Sequence, residues 1–201
     1  MSSPARAVWA DASLDQRVFL HNVPWKQYES LLELRGEDSG PRMTYLQGEL
    51  ELMSPSRDHE VITKMIARLL EAYALAKGVD LNGYGSMTMT SRPRARGAEP
   101  DECYAVGAAK QWPDIAIEVV WTHGGLDKLD VYRGLRVREV WLYRSGKLDV
   151  YALRRNAYIR IPRSHVLPKL DLAQLLRYAT ASNQTDAVRR YLRALGRRGV
   201  K

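Results

Sequence analysis

The stretch EPDECYAVGAAKQWPDIAIEVVW, Glu99 to Trp121, gathers the residues best suited to chemistry. It holds two Pro-Asp pairs, ending at Asp101 and Asp114, and a carboxylate at Glu118 inside the apolar run Ile115, Ile117, Val119 and Val120. A buried carboxylate without a partner is costly, so Glu118 is either satisfied structurally or holds a metal. Alternate residues of a strand share a face, which aligns Asp114, Ala116 and Glu118. Asp114 and Glu118 would then stand about 13 Å apart along the strand, too far to share one ion whose ligands lie about 2.1 Å from magnesium. A partner must come from another strand. Asp101, 17 positions before Glu118, leaves room for a loop and a return into an adjacent strand. Pro100 suits the start or edge of that strand, where a missing N–H is tolerated. Two such carboxylates make a hard-cation site with few protein ligands, open to water and phosphate oxygens.

Other candidates lie nearby. Arg92, Arg94 and Arg96 sit in SRPRARGAEPD immediately before the first Pro-Asp, in a loop marked by Pro93 and Gly97, where they either contact phosphate or are simply solvated. His123 stands beside the Gly124-Gly125 pair and could reach the same place. Cys103, Tyr104, Trp141 and Tyr143 read as core, although exposed aromatics could stack on bases. At the C-terminus, DAVRRYLRALGRRGVK places Val188, Tyr191, Leu192 and Leu195 on one side of a helix and Arg189, Arg190 and Arg193 on the other. That basic face is either a solvated helix surface or a phosphate contact.

The elements that must position these residues follow from pattern. The chain has 201 residues and a net charge of +8, enough for one full core with terminal extensions and suggestive of a polyanionic partner. No stretch approaches the roughly 18 apolar residues of a membrane span. Met1 to Ala12 holds an acidic residue and no apolar segment, so no signal peptide is expected and the cytoplasm is the expected compartment. Cys103 is the only cysteine, which excludes an intramolecular disulfide and a cysteine-built zinc site.

Residues 1–40 read as an irregular extension with a helix from Pro24 to Leu34 closed by Gly36. TYLQGELELMS alternates Leu46, Gly48, Leu50 and Leu52 with Gln47, Glu49 and Glu51, a half-buried strand whose polar face carries both glutamates. Asp58 to Lys77 has Ile62, Ile66, Leu69 and Tyr73 at helical spacing, with Gly78 just past the end. Strands follow near Val79 to Tyr84, Ser86 to Thr90, Cys103 to Val106 and Asp114 to Val120, the last apolar throughout and so expected at the centre of a sheet. A Gly-Gly turn, a helix of about three turns and a hairpin closed by Ser145-Gly146 come next. AYIRIP adds a strand and LPKLDLAQLL opens the C-terminal helices. The expectation is an α/β (mixed α+β) fold, a central mixed β-sheet flanked by helices, with a body over 41–180 and a basic amphipathic helix and tail over 181–201.

Asp101 followed by a hydrophobic strand ending in Glu118 resembles the PD-(D/E)XK nuclease fold. There a lysine two positions after the second acid acts near the attacking water, and that position here is Val120. The wider string resembles one branch of the superfamily, the restriction-endonuclease-like group called the Uma2 family, in which the lysine has moved to the following helix. Lys128 fits the displaced position and is followed by Tyr132 and GLRVREVWLY, with Val137, Glu139 and Trp141. GELELMSPS and His59 resemble the family's N-terminal motif, PDIAIEV its central strand and LPKLDLAQLL its C-terminal segment, covering about residues 43–176.

The resemblance implies a restriction-endonuclease-like fold and a metal-dependent DNA endonuclease. Asp101 and Glu118 would hold Mg²⁺ or Mn²⁺, Glu49 would assist, and Lys128 would position or activate water. Taken on its own, Lys128 can also be an ordinary helix-surface lysine, Glu49 a solvent-facing strand residue like Glu51, and His59 either a phosphate contact or an ordering group. DNA is the implied partner, and a dimer would let two sites address two strands. The alternative is a catalytically inactive nucleic-acid-binding or accessory protein on the same fold. A metal-free paired-carboxylate hydrolase is a third possibility.

Overall fold

A Gln47-Gly48 turn, both residues at positive φ (51° and 98°), divides the segment whose alternation suggested one strand into a hairpin. Its arms are β2 (Arg42–Leu46) and β3 (Glu49–Ser54), paired antiparallel. Glycine tolerates the left-handed backbone that such a two-residue turn requires. The computed structural model describes residues 14–36, 40–120 and 125–196. Within the first of these stretches Gln16–Leu20 forms β1, paired with β3, so part of the segment read as irregular is an edge strand. Its side chains are largely exposed, and main-chain pairing rather than an apolar face holds it, which is why periodicity gave no sign of it. Helix α1 (Trp25–Arg35) begins after Pro24 and ends at Gly36.

β1, β3 and β2 join β6 (Arg96–Ala98) and β5 (Met89–Ser91) in a five-stranded antiparallel sheet of order β1-β3-β2-β6-β5. The second sheet is mixed. It contains β4 (Leu81–Gly83), β7 (Glu102–Val106), β8 (Ile115–Val119), β9 (Glu139–Arg144), β10 (Lys147–Arg154) and β11 (Ala157–Ile161) in the order β11-β10-β9-β8-β7-β4. β8 runs parallel to β9 and antiparallel to β7 and is buried along its length, the central position its apolar run predicted. The mixed sheet with helices on it is therefore present, and a second, antiparallel sheet stands beside it.

Helix α2 (Arg57–Lys77) starts where Ser56 accepts a hydrogen bond from the His59 N–H and stops at Gly78 in the left-handed conformation. It packs with α4 (Leu172–Ala179) and α5 (Gln184–Gly196) over the face of the mixed sheet that carries Ile115, Ile117 and Val119. Burying side chains such as Leu69 and Leu70 contributes about 1.5–3 kcal/mol each. The opposite face, with Ala116, Val140 and Leu142, is covered by α3 (Lys128–Leu135) and by Met89 and Ala98 of the antiparallel sheet. Helix α3 is shorter than the three turns expected, because Arg136 leaves the helix with φ at 63°. It lies between the two sheets, and that position decides where its first residue, Lys128, points. Among the described residues no helix is long and apolar enough to cross a membrane.

Candidate active site

The β7–β8 register pairs Glu102 with Ile117, so one step further sets Asp101 opposite Glu118. Cross-strand partners in an antiparallel pair project from the same face. Asp101, immediately before β7, and Glu118 of β8 are therefore neighbours, and each is buried. Their surroundings differ. Asp101 Oδ1 accepts from Arg42 Nη1 at 2.6 Å, and Oδ2 accepts from the Val119 N–H at 2.6 Å. His59 Nε2 lies 2.8 Å from Oδ2, an ion-pair contact between two buried side chains. Glu118 Oε1 accepts from the Tyr132 hydroxyl in a short bond, while Oε2 has Lys128 Nζ at 3.3 Å.

This asymmetry sets the charge states. Burial pushes both carboxyl groups up. For Asp101, the His59 contact, then Arg42 and the Val119 N–H, outweigh burial and hold it below the usual aspartate value. For Glu118 burial prevails over Lys128 and Tyr132, with the Asp101 charge adding to the rise, so its pKa lies above the usual value. His59 is fully buried between Asp101 and Asp15, whose Oδ2 lies 3.1 Å from its Nδ1. Burial disfavours the imidazolium, but the two carboxylates outweigh it and raise the histidine pKa. With no exposed surface, His59 acts on anything bound here only through Asp101.

Lys128 is the first residue of α3, whose N-cap Asp127 accepts from the Leu129 and Asp130 N–H groups. Its ammonium donates to Thr44 Oγ1 at 2.9 Å while facing Glu118. Glu49 is placed elsewhere: it is half exposed and bonded to His21. Glu51, two residues along the same face of β3, is the acid buried towards this region, where its Oε2 accepts from the Leu126 N–H at 2.8 Å. The basic loop separates into two parts. Arg92 and Arg94 are exposed on a short 3₁₀ turn (Arg92–Arg94), whereas Arg96 is buried with Nη2 2.9 Å from Asp130 Oδ2. The Arg96 guanidinium thus holds α3 to β6 and does not reach towards solvent. Asp114, held by the Val106 N–H, Lys110 and Arg138, lies at the other end of β8. His123 falls outside the described residues.

An open cavity of about 370 Å³ adjoins Glu118, with Arg17, Lys128, Arg144 and Tyr151 among its walls. No group of three or more His, Cys, Asp and Glu side chains among the described residues could hold a metal ion. A family model described as "Putative restriction endonuclease", Uma2, matches residues 25–182, most of the chain. The chain belongs to the Uma2 family. A solved structure described as "a putative nuclease belonging to DUF820 from Anabaena variabilis ATCC 29413" is similar at 14% identity over 80% of this chain and 96% of that one, with a TM-score of 0.49. No curated protein matches the chain.

Several residues at the centre of this Uma2 protein carried no role in the sequence reading. Tyr132 had a usable signal, since it stands four positions after Lys128 and so on the same helix face. Glu51 was read only as a solvent-facing neighbour of Glu49. Arg42, Thr44 and Arg17 reach the site from the antiparallel sheet and Asp15 from just before β1, and nothing in their local sequence announces the partner they find across the fold. The Glu139 of the Uma2-like stretch is buried at the N-terminal end of β9. It accepts from Trp141 Nε1, Ser164 Oγ and the His165 and Val166 N–H groups, so its part is structural.

Proposed function

We propose that the protein is a metal-dependent endonuclease that hydrolyses phosphodiester bonds of DNA. The observation that carries this reading is the side-by-side burial of Asp101 and Glu118 with Lys128 Nζ 3.3 Å from Glu118. The donor set fits Mg²⁺ or Mn²⁺. Both residues offer hard anionic oxygens, and the raised pKa of Glu118 marks a buried carboxylate short of compensating positive charge. Asp101 and Glu118 would hold the ion, which when bound supplies positive charge to the scissile phosphate.

The chain's own groups do the rest. Arg42 and His59 fix the Asp101 carboxylate, and Tyr132 fixes Glu118. Lys128, anchored on Thr44, donates to a water or to the developing oxyanion. The water oxygen bonds to phosphorus as the bond to the leaving oxygen breaks; the water gives up its proton to solvent, and the leaving alkoxide takes a proton from solvent. Lys128 reaches this point from α3 because its long stem spans the gap left where Val120 stands at the usual lysine position.

One observation favours the non-catalytic alternative: Arg42, His59 and the Val119 N–H already occupy both Asp101 oxygens. Cleavage of supercoiled plasmid with Mg²⁺ or Mn²⁺, comparing wild type with Asp101→Asn and Lys128→Ala, decides between the two. The nuclease reading expects metal-dependent nicking by the wild type and a loss of at least a hundredfold in both variants, whose folding is checked by circular dichroism. DNA binding without cleavage by the wild type would establish the non-catalytic reading.

A further inference from the structure

Arg17 differs from the other walls of the cavity beside Glu118. Its side chain is 13% exposed, and its two charged neighbours, Asp15 and Glu51, each lie 3.6 Å away, too long for hydrogen bonds. Its Nε is buried with no hydrogen-bond partner among the described residues. A guanidinium carries five N–H donors, and leaving them buried and unpaired is unfavourable. The surrounding groups nonetheless hold it in place. Glu51 faces Arg17 with Oε1 while Oε2 anchors the Leu126 N–H. Gly125 allows the chain to pass close by, since a Cβ there would lie 2.6 Å from Arg17 Nη1 and 3.1 Å from Glu51 Oε2.

Two further cations share the cavity. Lys128 faces Glu118, and Arg144, at the end of β9, is exposed with no charged partner among the described residues. The one other carboxylate in the wall, Asp127, is engaged in capping α3. Ion-paired but with no hydrogen bond among the described residues, Arg17 presents a planar fork of donors to an anion, and such a fork matches the oxygens of phosphate. A volume of about 370 Å³ admits more than a bare ion. Arg17 also lies outside residues 25–182, so the family match says nothing of it.

We propose that Arg17 and Arg144 form an anion subsite that takes a backbone phosphate of a nucleic-acid strand, adjacent to the phosphodiester held at Asp101 and Glu118. The placement next to the scissile bond rests on the nuclease reading; the binding itself does not.

The test is fluorescence anisotropy with a short fluorescein-labelled oligothymidine in EDTA, across a potassium chloride series, for wild type, Arg17→Gln, Arg17→Lys and Arg144→Ala. Each neutral variant should weaken binding roughly fivefold or more and reduce the slope of log affinity against log salt by about 0.7, the loss of one single-strand phosphate contact. Arg17→Lys should keep the slope. Wild-type affinity and slope in Arg17→Gln, or no binding by the wild type, would overturn the subsite. If Arg17→Gln fails to fold, Arg144→Ala carries the test, and wild-type binding by that variant overturns the proposal. Inorganic phosphate competing as well as the oligonucleotide would overturn the assignment to a strand. Cleavage with an unchanged KM in Arg17→Gln would remove the subsite alone, whereas Arg17-dependent binding by a protein that never cleaves would remove the nuclease alone.

Discussion

Neutralising the two neighbouring carboxylates should affect stability unequally, lowering it at Asp101 and leaving it unchanged or raised at Glu118. Asp101 receives Arg42 and the Val119 N–H, each at 2.6 Å, and has His59 at 2.8 Å. Its pKa is lowered, so the fold prefers its charged form. Asp101→Asn keeps the shape but turns an NH₂ towards Arg42 or the Val119 N–H. That leaves a buried donor facing a donor and removes half of a buried ion pair. Such losses cost about 3 kcal/mol. In a chain of this size each kcal/mol moves Tm by roughly 2–4 °C, which gives a fall of roughly 6–12 °C.

Glu118 has a raised pKa, so its charge costs stability at neutral pH. Glu118→Gln removes that charge, and its amide can still pair with Tyr132 and Lys128 by choosing its flip. Its Tm should be unchanged or a few degrees higher. Thermal denaturation of both variants by circular dichroism at pH 7 without metal measures the contrast. Equal falls in both, or a rise in Asp101→Asn, would refute the charge assignment.

Other predictions concern the frame around the site. The buried Glu99 is held below its usual pKa by Arg35, Thr88 and the Met43 N–H, which outweigh burial. Its stabilising effect is therefore present above the unfolded-state glutamate value and lost as pH falls through the lower folded value. The drop in urea midpoint between pH 7 and pH 3 should be smaller in Glu99→Gln than in wild type. In Gly97→Ala the new Cβ would sit 2.1 Å from Tyr28 Oη and 2.6 Å from Cζ, within the Trp25, Tyr28 and Tyr45 ring cluster. The expected cost is about 3 kcal/mol, read as a lower urea midpoint. Glu139→Ala strips four donors of their acceptor and should cost about 3–5 kcal/mol in the same assay, with no direct contact to the site.

Residues near one another in sequence or tied by period were readable, and those joined only by tertiary packing were not. The apolar run around Glu118 announced a central strand, and 17 residues back to Asp101 allowed an adjacent one. Lys128 and Tyr132 share a face of one short helix. Glu49 took the attention that Glu51 warranted, because both stand on one face of the same strand and alternation does not tell which of them the tertiary fold buries. The arginines of the basic loop looked alike, yet burial beside Asp130 separates Arg96 from the exposed Arg92 and Arg94. Arg42 and Arg17 come from one sheet, and Asp15 from just before its strand β1, to a site on another, and no local pattern encodes that crossing.

The central claim is that Asp101 and Glu118 are one cation site. Crystals grown with Mn²⁺ and measured for anomalous scattering test it most directly. The account predicts a peak bonded to oxygens of both side chains at about 2.0–2.2 Å, with Arg42 or Lys128 displaced from its partner, and no such peak in Glu118→Gln. A protein that cleaves DNA in Mn²⁺ yet shows its manganese elsewhere, or a peak unaffected by Glu118→Gln, would contradict it.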